Sequence, residues 1–199
     1  MNEGFVRNKI ESLPVSDGIA LDIGANHGMY TSLLAQKFKK VYAFEPHPDN
    51  FRIIQEKVTD KNVEFVNKAV GIVDGKLHLY TCGNPGGHSI SNAVADVKRW
   101  GHNRENYVEV DSVMLDTFCK DKKIDFIKCD IEGAENFIFN HGIETLKNNK
   151  IEMVLEVHQT VDCEKLWSFF NDLGYTSYAP TNKVTGAYIN DEHYFITNK

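Results

Sequence analysis

The sequence lacks any apolar stretch that approaches the roughly 20 residues needed to span a bilayer. Its four cysteines contain no CxxC pair, which excludes a zinc knuckle and a thioredoxin-like motif and favours reduced, buried thiols. Its eight histidines contain no HExxH pattern, so the commonest helix-borne zinc signature is absent too. We therefore predict neither a membrane-spanning segment nor a metal site of these two kinds.

The sequence also has fewer basic residues than acidic ones. The net charge is −6, and the lysines and arginines form no stripe that could follow a phosphate backbone. Nucleic acid is therefore a disfavoured partner, and we expect a small-molecule partner instead. The first ten residues, MNEGFVRNKI, lack the apolar core of a signal peptide, so we expect a cytoplasmic protein.

Alternating strand-like and helix-like patterns indicate an α/β protein. A length of 199 residues with an average content of charged residues suits one domain over residues 1–199. The predicted strands cover 19–23, 41–44, 63–70, 76–81, 107–110, 124–129 and 151–157, and 175–178 with 193–197 are predicted to form a closing antiparallel pair. A short amphipathic segment covers 3–13, and the predicted helices cover 29–38, 48–58 and 163–173. This order predicts a doubly wound, mostly parallel sheet, in which ligands bind beyond the carboxyl ends of the strands.

The segment LDIGANHG, residues 21–28, forms a glycine-rich corner after the first predicted strand. Gly24 and Gly28 permit a positive φ and a close approach of the backbone to a ligand. A pyrophosphate-binding corner has the pattern GxGxxG, whereas here Ala25 and Asn26 follow Gly24 where the middle glycine is expected. Asp22 would repel a pyrophosphate but suits a cationic sulfonium ligand that carries an amino group. The corner therefore favours S-adenosylmethionine over a dinucleotide, and its candidate donor-binding residues are Asp22, Gly24, Ala25, Asn26 and Gly28.

An acidic residue follows the second predicted strand. Glu45 lies roughly 20 residues beyond Gly24, the spacing at which a carboxylate accepts hydrogen bonds from a ribose. Asn67 and Ala69, after the third predicted strand, are candidates to line the adenine site. A purely structural alternative stays open, in which the glycines only form a turn and Glu45 is a solvated residue at a helix start.

A second acidic cluster follows the predicted strand over 124–129. Lys128, Asp130 and Glu132 have the same parity, so they point to one side of the chain. Buried charges at a strand end are costly unless they are paired or meet a ligand, so we interpret this cluster as functional. Glu135 begins the next helix, where the helix dipole is a sufficient explanation for its charge.

The predicted strand over 151–157 ends in LEVH, with Glu156 and His158 on one parity. Methyl transfer to a hydroxyl requires removal of a proton, and histidine is well suited to this near neutral pH. His158 is therefore a candidate base, although a hydrogen-bonded structural histidine is an equal alternative. Two carboxylates and a histidine also suit a hard cation such as Mg²⁺, and the spacing does not separate these options.

Taken together, four motifs resemble the FkbM family of methyltransferases: LDIGANHGMYT, YAFEPHP, FIKCDIEGAE and LEVH. The resemblance covers roughly residues 15–160. It implies a class I methyltransferase fold with a Rossmann-like, seven-stranded sheet, S-adenosylmethionine as donor, and usually O-methylation of a sugar or a polyketide-derived hydroxyl. It also implies that Asp22, Gly24 and Gly28 frame the donor and that Glu45 binds its ribose. Asp130 and Glu132 would lie at the boundary between donor and acceptor.

The polar segment 82–106 has little apolar periodicity, and a long insertion of this kind in a compact domain is more often functional than idle. We predict that it borders the acceptor site, with His88, Ser89 and Glu156 as candidate substrate residues. The acceptor itself is a small molecule, with a saccharide among the candidates.

Two other functions are compatible with parts of the sequence. A nicotinamide-dependent oxidoreductase would use the same glycines and the same strand-end acid. A catalytically inactive methyltransferase fold that binds a partner is the non-enzymatic alternative. The complete acidic cluster argues against the inactive module, and the corner argues against the oxidoreductase.

Overall fold

The computed structural model describes residues 3–82, 87–90, 105–158, 160–179 and 192–198. Within these ranges, ten strands and seven helices alternate along the chain. The strands are β1 (Ser16–Ile23), β2 (Phe38–Phe44), β3 (Val63–Val66), β4 (Ala69–Val70), β5 (Gly75–Tyr80), β6 (Tyr107–Val113), β7 (Phe126–Cys129), β8 (Glu152–Val157), β9 (Tyr175–Tyr178) and β10 (Glu192–Asn198). The helices are α1 (Glu3–Ser12), α2 (Met29–Ala35), α3 (Pro48–Lys57), α4 (Leu115–Cys119), α5 (Glu135–Asn140), α6 (Ile143–Asn148) and α7 (Cys163–Asp172).

Seven of the strands form the main sheet, in the order β3-β2-β1-β7-β8-β10-β9. Within this sheet, β3, β2, β1, β7 and β8 are parallel to one another, whereas β10 is antiparallel to both β8 and β9. This confirms the predicted mostly parallel α/β sheet and its antiparallel C-terminal strand. The strand order reverses beside β1, and a ligand crevice forms at such a switch point beyond the carboxyl ends of the strands.

The predicted helix over 29–38 is too long. The helix ends at Ala35, and Phe38 begins the next strand. Phe38 is buried against Phe126 of β7, with ring centroids 5.5 Å apart. An apolar residue just beyond a helix satisfies the helical period by chance, so periodicity alone did not reveal the change of structure.

The predicted strand over 63–70 divides in two. Its first part, β3, joins the main sheet, and its second part, β4, pairs with β6 in a separate sheet of order β4-β6-β5. The predicted closing antiparallel pair is confirmed as β9 and β10. The predicted acceptor-site insertion over 82–106 falls for the most part outside the described residues.

The largest hydrophobic cluster lies against the main sheet and is formed by its central strands together with helices α5 and α7. Leu21, Ile127 and Leu155 lie in it and are fully buried. Burial of these apolar side chains holds the strand ends in fixed positions, which is what places the polar residues that follow them. No helix in the described ranges is long and apolar enough to cross a membrane.

Candidate active site

The glycine corner packs tightly against the end of β7. Gly24, Asn26 and Gly28 have φ angles of 77°, 48° and 83°, which L side chains rarely adopt and which glycine and asparagine tolerate best. A Cβ added to Gly24 would lie 1.9 Å from the carbonyl oxygen of Asp130. The sequence therefore requires glycine here for two reasons, the backbone angle and the close approach of β7.

The Glu45 carboxylate faces the corner from the end of β2. Oε2 accepts from the backbone N–H of Asn26 at 2.8 Å, and Oε1 accepts from that of His47 at 2.9 Å. Burial raises the pKa of Glu45 to about 7, although these backbone hydrogen bonds and one from Asn50 oppose the shift. Because each carboxylate oxygen has two lone pairs, Glu45 can still accept hydrogen bonds from a ligand.

Asp22 and Lys128 lie beneath the corner. Asp22 is fully buried; its Oδ2 accepts from Thr31 Oγ1 at 2.6 Å, and its Oδ1 lies 3.5 Å from Lys128 Nζ. Lys128 donates to the carbonyl of Gly24 at 2.9 Å. Although burial lowers the pKa of Lys128, the charges of Asp22 and Asp130 raise it above its usual range. The cation that Asp22 meets is therefore this lysine, and the pair supports the corner from below.

A cavity opens above the corner, between the main sheet and the small sheet. Seven of the residues predicted for the site line it: Gly24, Asn26, Glu45, Ala69, His88, Asp130 and Glu132. They come from the ends of β1, β2 and β7, from β4, and from the segment 87–90. The structure therefore brings four of the predicted donor residues and both residues of the predicted donor–acceptor boundary into one space.

Eight predicted residues do not line this cavity: Asp22, Ala25, Gly28, Asn67, Ser89, Lys128, Glu156 and His158. Gly28 lies on the far side of the corner, where an added Cβ would lie 2.4 Å from Val58. Asn67 donates to the carbonyl of Glu45 at 2.8 Å, so it holds the end of β2. Ser89 is buried and pairs with Tyr80 through backbone hydrogen bonds. These residues therefore hold the walls of the cavity in place and do not themselves line it.

Sequence reasoning missed the apolar wall of the cavity. Phe44, Val70, Leu79 and Ile90 line it, and two of them belong to the small sheet that the sequence did not predict as a separate element. It also missed Asn50, which is buried in α3 and faces the same space. A polar residue on the buried side of an amphipathic helix was the available signal for this asparagine.

Two histidines stack at the rim of the cavity. The rings of His47 and His88 are 4.3 Å apart and nearly parallel, with an interplanar angle of 26°. His47 follows the donor-side strand end, whereas His88 belongs to the segment that was predicted to border the acceptor site. The stack therefore joins these two parts of the chain.

His158 lies behind Asp130 and Glu132, at the end of β8. Its Nδ1 is 2.8 Å from Glu135 Oε1, and its Nε2 lies 3.4 Å from Glu132 Oε2 and 3.7 Å from Asp130 Oδ1. Burial lowers the pKa of His158, but Glu135, through its hydrogen bond and charge, raises it to about 10 together with the other carboxylates. The surrounding carboxylates therefore favour a positive charge at this position, which does not favour the predicted role of His158 as a base.

Glu156 completes this buried group. Its Oε2 lies 3.0 Å from Nε2 of His193, a residue of β10 that pairs with Glu156 in register. Burial raises the pKa of Glu156, but the hydrogen bond from His193 and the charge of His158 lower it to about 2. These partners thus favour the ionised form of Glu156.

Backbone strain marks the turn after β7. Glu132 has a φ of 54°, and Gly133 follows with a φ of 95°. A left-handed conformation at a residue other than glycine costs of order 1–3 kcal/mol and occurs most often at functional sites. The strained turn brings the Glu132 carboxylate to the cavity beside Asp130.

Comparison with known proteins supports a methyltransferase family. The family model for the methyltransferase FkbM domain matches residues 22–177 of this chain. A comparison with curated proteins finds no match.

Solved structures share the fold. The methyltransferase FkbM of Methylobacillus flagellatus KT is 16% identical to this chain, with a TM-score of 0.60. The match covers 94% of this chain and 45% of that one. This chain thus spans less than half of that relative. An rRNA methylase from Streptococcus thermophilus is 14% identical, with a TM-score of 0.52 over 99% of this chain and 95% of that one. A Streptococcus mutans protein in complex with S-adenosylhomocysteine (SAH) is also 14% identical, with a TM-score of 0.52 over 99% and 96% of the two chains.

Proposed function

Because this chain belongs to the FkbM methyltransferase family, we propose that it transfers the methyl group of S-adenosylmethionine to a hydroxyl of a sugar or another small acceptor. The observation that carries the donor assignment is the Glu45 carboxylate, which faces the cavity beside the glycine corner at the end of β2. The Streptococcus mutans complex with SAH, on the same fold, supports this choice of donor.

The cavity residues offer partners for three parts of such a donor. Glu45 offers carboxylate lone pairs to the ribose hydroxyls, and the apolar wall that includes Val70 and Leu79 suits the adenine. Asn26 Oδ1 is buried and has no hydrogen-bond partner among the described residues. A donor ammonium group beside the corner would satisfy this oxygen. These features suit a nucleoside that carries an amino acid better than they suit a pyrophosphate.

Methyl transfer forms a bond between the acceptor oxygen and the methyl carbon and breaks the bond between that carbon and sulfur. The acceptor hydroxyl must therefore lose its proton. Besides Glu45, which we assign to the ribose, Asp130 and Glu132 are the carboxylates that line the cavity, so they are the groups that can receive it. Burial raises the pKa of Asp130 above its usual range, although the charge of Lys128 opposes this shift. The raised pKa makes this carboxylate a better proton acceptor.

Calorimetric titration with SAH tests the donor assignment. We expect saturable binding of one SAH per chain, and no binding of NAD⁺ at the same concentrations. Absence of SAH binding at millimolar concentration would refute the proposed function. Incubation with labelled donor and fractionated cell extract then tests the class of acceptor. A labelled product that is not a methyl ether would refute methylation of a hydroxyl.

The affinity for SAH is expected to depend on pH through Glu45. The ionised carboxylate is the form that accepts both ribose hydroxyls, and with a pKa of about 7 it loses its charge as the pH falls. Between pH 8 and pH 6 we expect the dissociation constant to rise roughly tenfold. In Glu45→Gln the affinity should be lower at pH 8, by tenfold or more, and nearly constant over this range. An equal pH dependence in both proteins would exclude Glu45 as its origin.

A further inference from the structure

Glu156 and His158 are buried charged groups that donor binding does not use. Their exposed fractions are 5% and 3%, and neither lines the cavity. Both side chains lie directly behind Asp130, whose carboxylate is 31% exposed and does line it. Such a group of ionisable side chains is costly to bury, so a role beyond packing is expected.

Two of the distances within this group are close to those between ligand atoms around an ion. His158 Nε2 lies 3.7 Å from Asp130 Oδ1 and 3.5 Å from Glu156 Oε1. Two ligand atoms that are each 2.0–2.1 Å from a tetrahedral ion are separated by about 3.4 Å. One oxygen or nitrogen atom of each of the three residues lies within 4.8 Å of the others.

Each of the two buried side chains is held by a partner on its opposite side. Glu135 Oε1 lies 2.8 Å from Nδ1 of His158, which leaves Nε2 directed toward Asp130 and Glu156. His193 Nε2 lies 3.0 Å from Oε2 of Glu156, which leaves Oε1 on the side of His158. A carboxylate behind a ligating histidine is the usual device that fixes its ring orientation and its tautomer.

We propose that Asp130, Glu156 and His158 bind one divalent transition-metal ion of the Mn²⁺ or Zn²⁺ class. One imidazole nitrogen and two carboxylate oxygens suit such an ion better than Mg²⁺, which prefers oxygen ligands and retains several waters. Three protein ligands leave a fourth position open, as in catalytic metal sites. Asp130 also lines the cavity, so one of the three ligands borders the proposed acceptor site.

The role of the ion, but not the site itself, rests on the proposed function. An ion in this position would bind the acceptor oxygen and lower the pKa of its hydroxyl. The proton would pass to Glu132, whose Oε2 lies 3.4 Å from His158 Nε2 and which lines the cavity. The alkoxide oxygen would then attack the methyl carbon, with sulfur as the leaving atom.

Titration of the purified protein with Mn²⁺, followed by electron paramagnetic resonance, tests the site without donor or acceptor. We expect one bound Mn²⁺ per chain, with nitrogen modulation from a ligated imidazole in pulsed spectra. In His158→Gln the modulation should disappear, and in Glu156→Gln the dissociation constant should rise by roughly 10- to 100-fold. Glu109→Gln, which removes a carboxylate that is 59% exposed on β6, is the matched control and should bind as the unaltered chain does.

If the substitutions at buried positions prevent folding, Asp130→Asn serves the same purpose, because its carboxylate is partly exposed. Absence of Mn²⁺ and Zn²⁺ binding at millimolar concentration, or binding without nitrogen modulation, overturns the proposal. The proposal is also overturned if Asp130→Asn binds Mn²⁺ as tightly as the unaltered chain does. SAH binding measured on the same samples separates the two hypotheses, since SAH binding without metal binding removes the metal site and leaves the proposed function in place.

Discussion

Replacement of Asp130 by asparagine is expected to lower the turnover number by about 10³-fold, within the range found for loss of acid–base groups. Asp130 lines the cavity next to Glu132, and its raised pKa suits proton transfer from the acceptor. If the proposed ion is bound, the same carboxylate is one of its ligands, so both routes require its charge. Transfer of labelled methyl groups from S-adenosylmethionine to an extract fraction that the unaltered chain methylates provides the measurement.

The control for this prediction is binding of the donor product. Asp130→Asn should keep an SAH dissociation constant within about threefold of the original, because Glu45 and the glycine corner are unchanged. Asp111→Asn, which alters an exposed carboxylate of β6 that pairs with Lys76 of β5, should retain full turnover. Unchanged turnover in Asp130→Asn would remove this residue from the mechanism.

The central sheet could be predicted because its strands are short apolar runs separated by amphipathic segments. β1, β2, β7 and β8 were all found in this way, since buried parallel strands need apolar side chains on both faces. The division of 63–70 into β3 and β4 could not be predicted. Both parts are apolar, and only pairing with β6, more than 40 residues later, distinguishes them.

Strand parity explains part of the site and fails for the rest. Lys128 and Asp130 lie side by side as expected, with Nζ 3.8 Å from Oδ2. Beyond Cys129 the strand ends, so alternation no longer applies, and Glu132 reaches the cavity only through its left-handed turn. Glu135 was explained by the helix dipole alone, yet it contacts His158, a long-range pair that local sequence patterns do not contain.

Gly24→Ala is expected to destabilise the protein by about 4 kcal/mol, because two costs combine at this position. A φ of 77° is unfavourable for alanine by about 1–2 kcal/mol. In addition, the new Cβ would lie 1.9 Å from the carbonyl oxygen of Asp130, and this backbone cannot retreat without loss of the hydrogen bond from Asp130 N–H to Ile23. Chemical denaturation of the two proteins measures the difference in the free energy of unfolding.

Gly174→Ala separates the two costs. Gly174 has a φ of 83°, close to that of Gly24, but an added Cβ would have no atom within 4 Å. This variant should lose only about 1–2 kcal/mol and should bind SAH normally. In Gly24→Ala the displaced corner should also weaken SAH binding, since the same backbone borders the cavity beside Glu45. Equal destabilisation in the two variants would mean that the contact between the corner and β7 contributes nothing beyond the backbone angle.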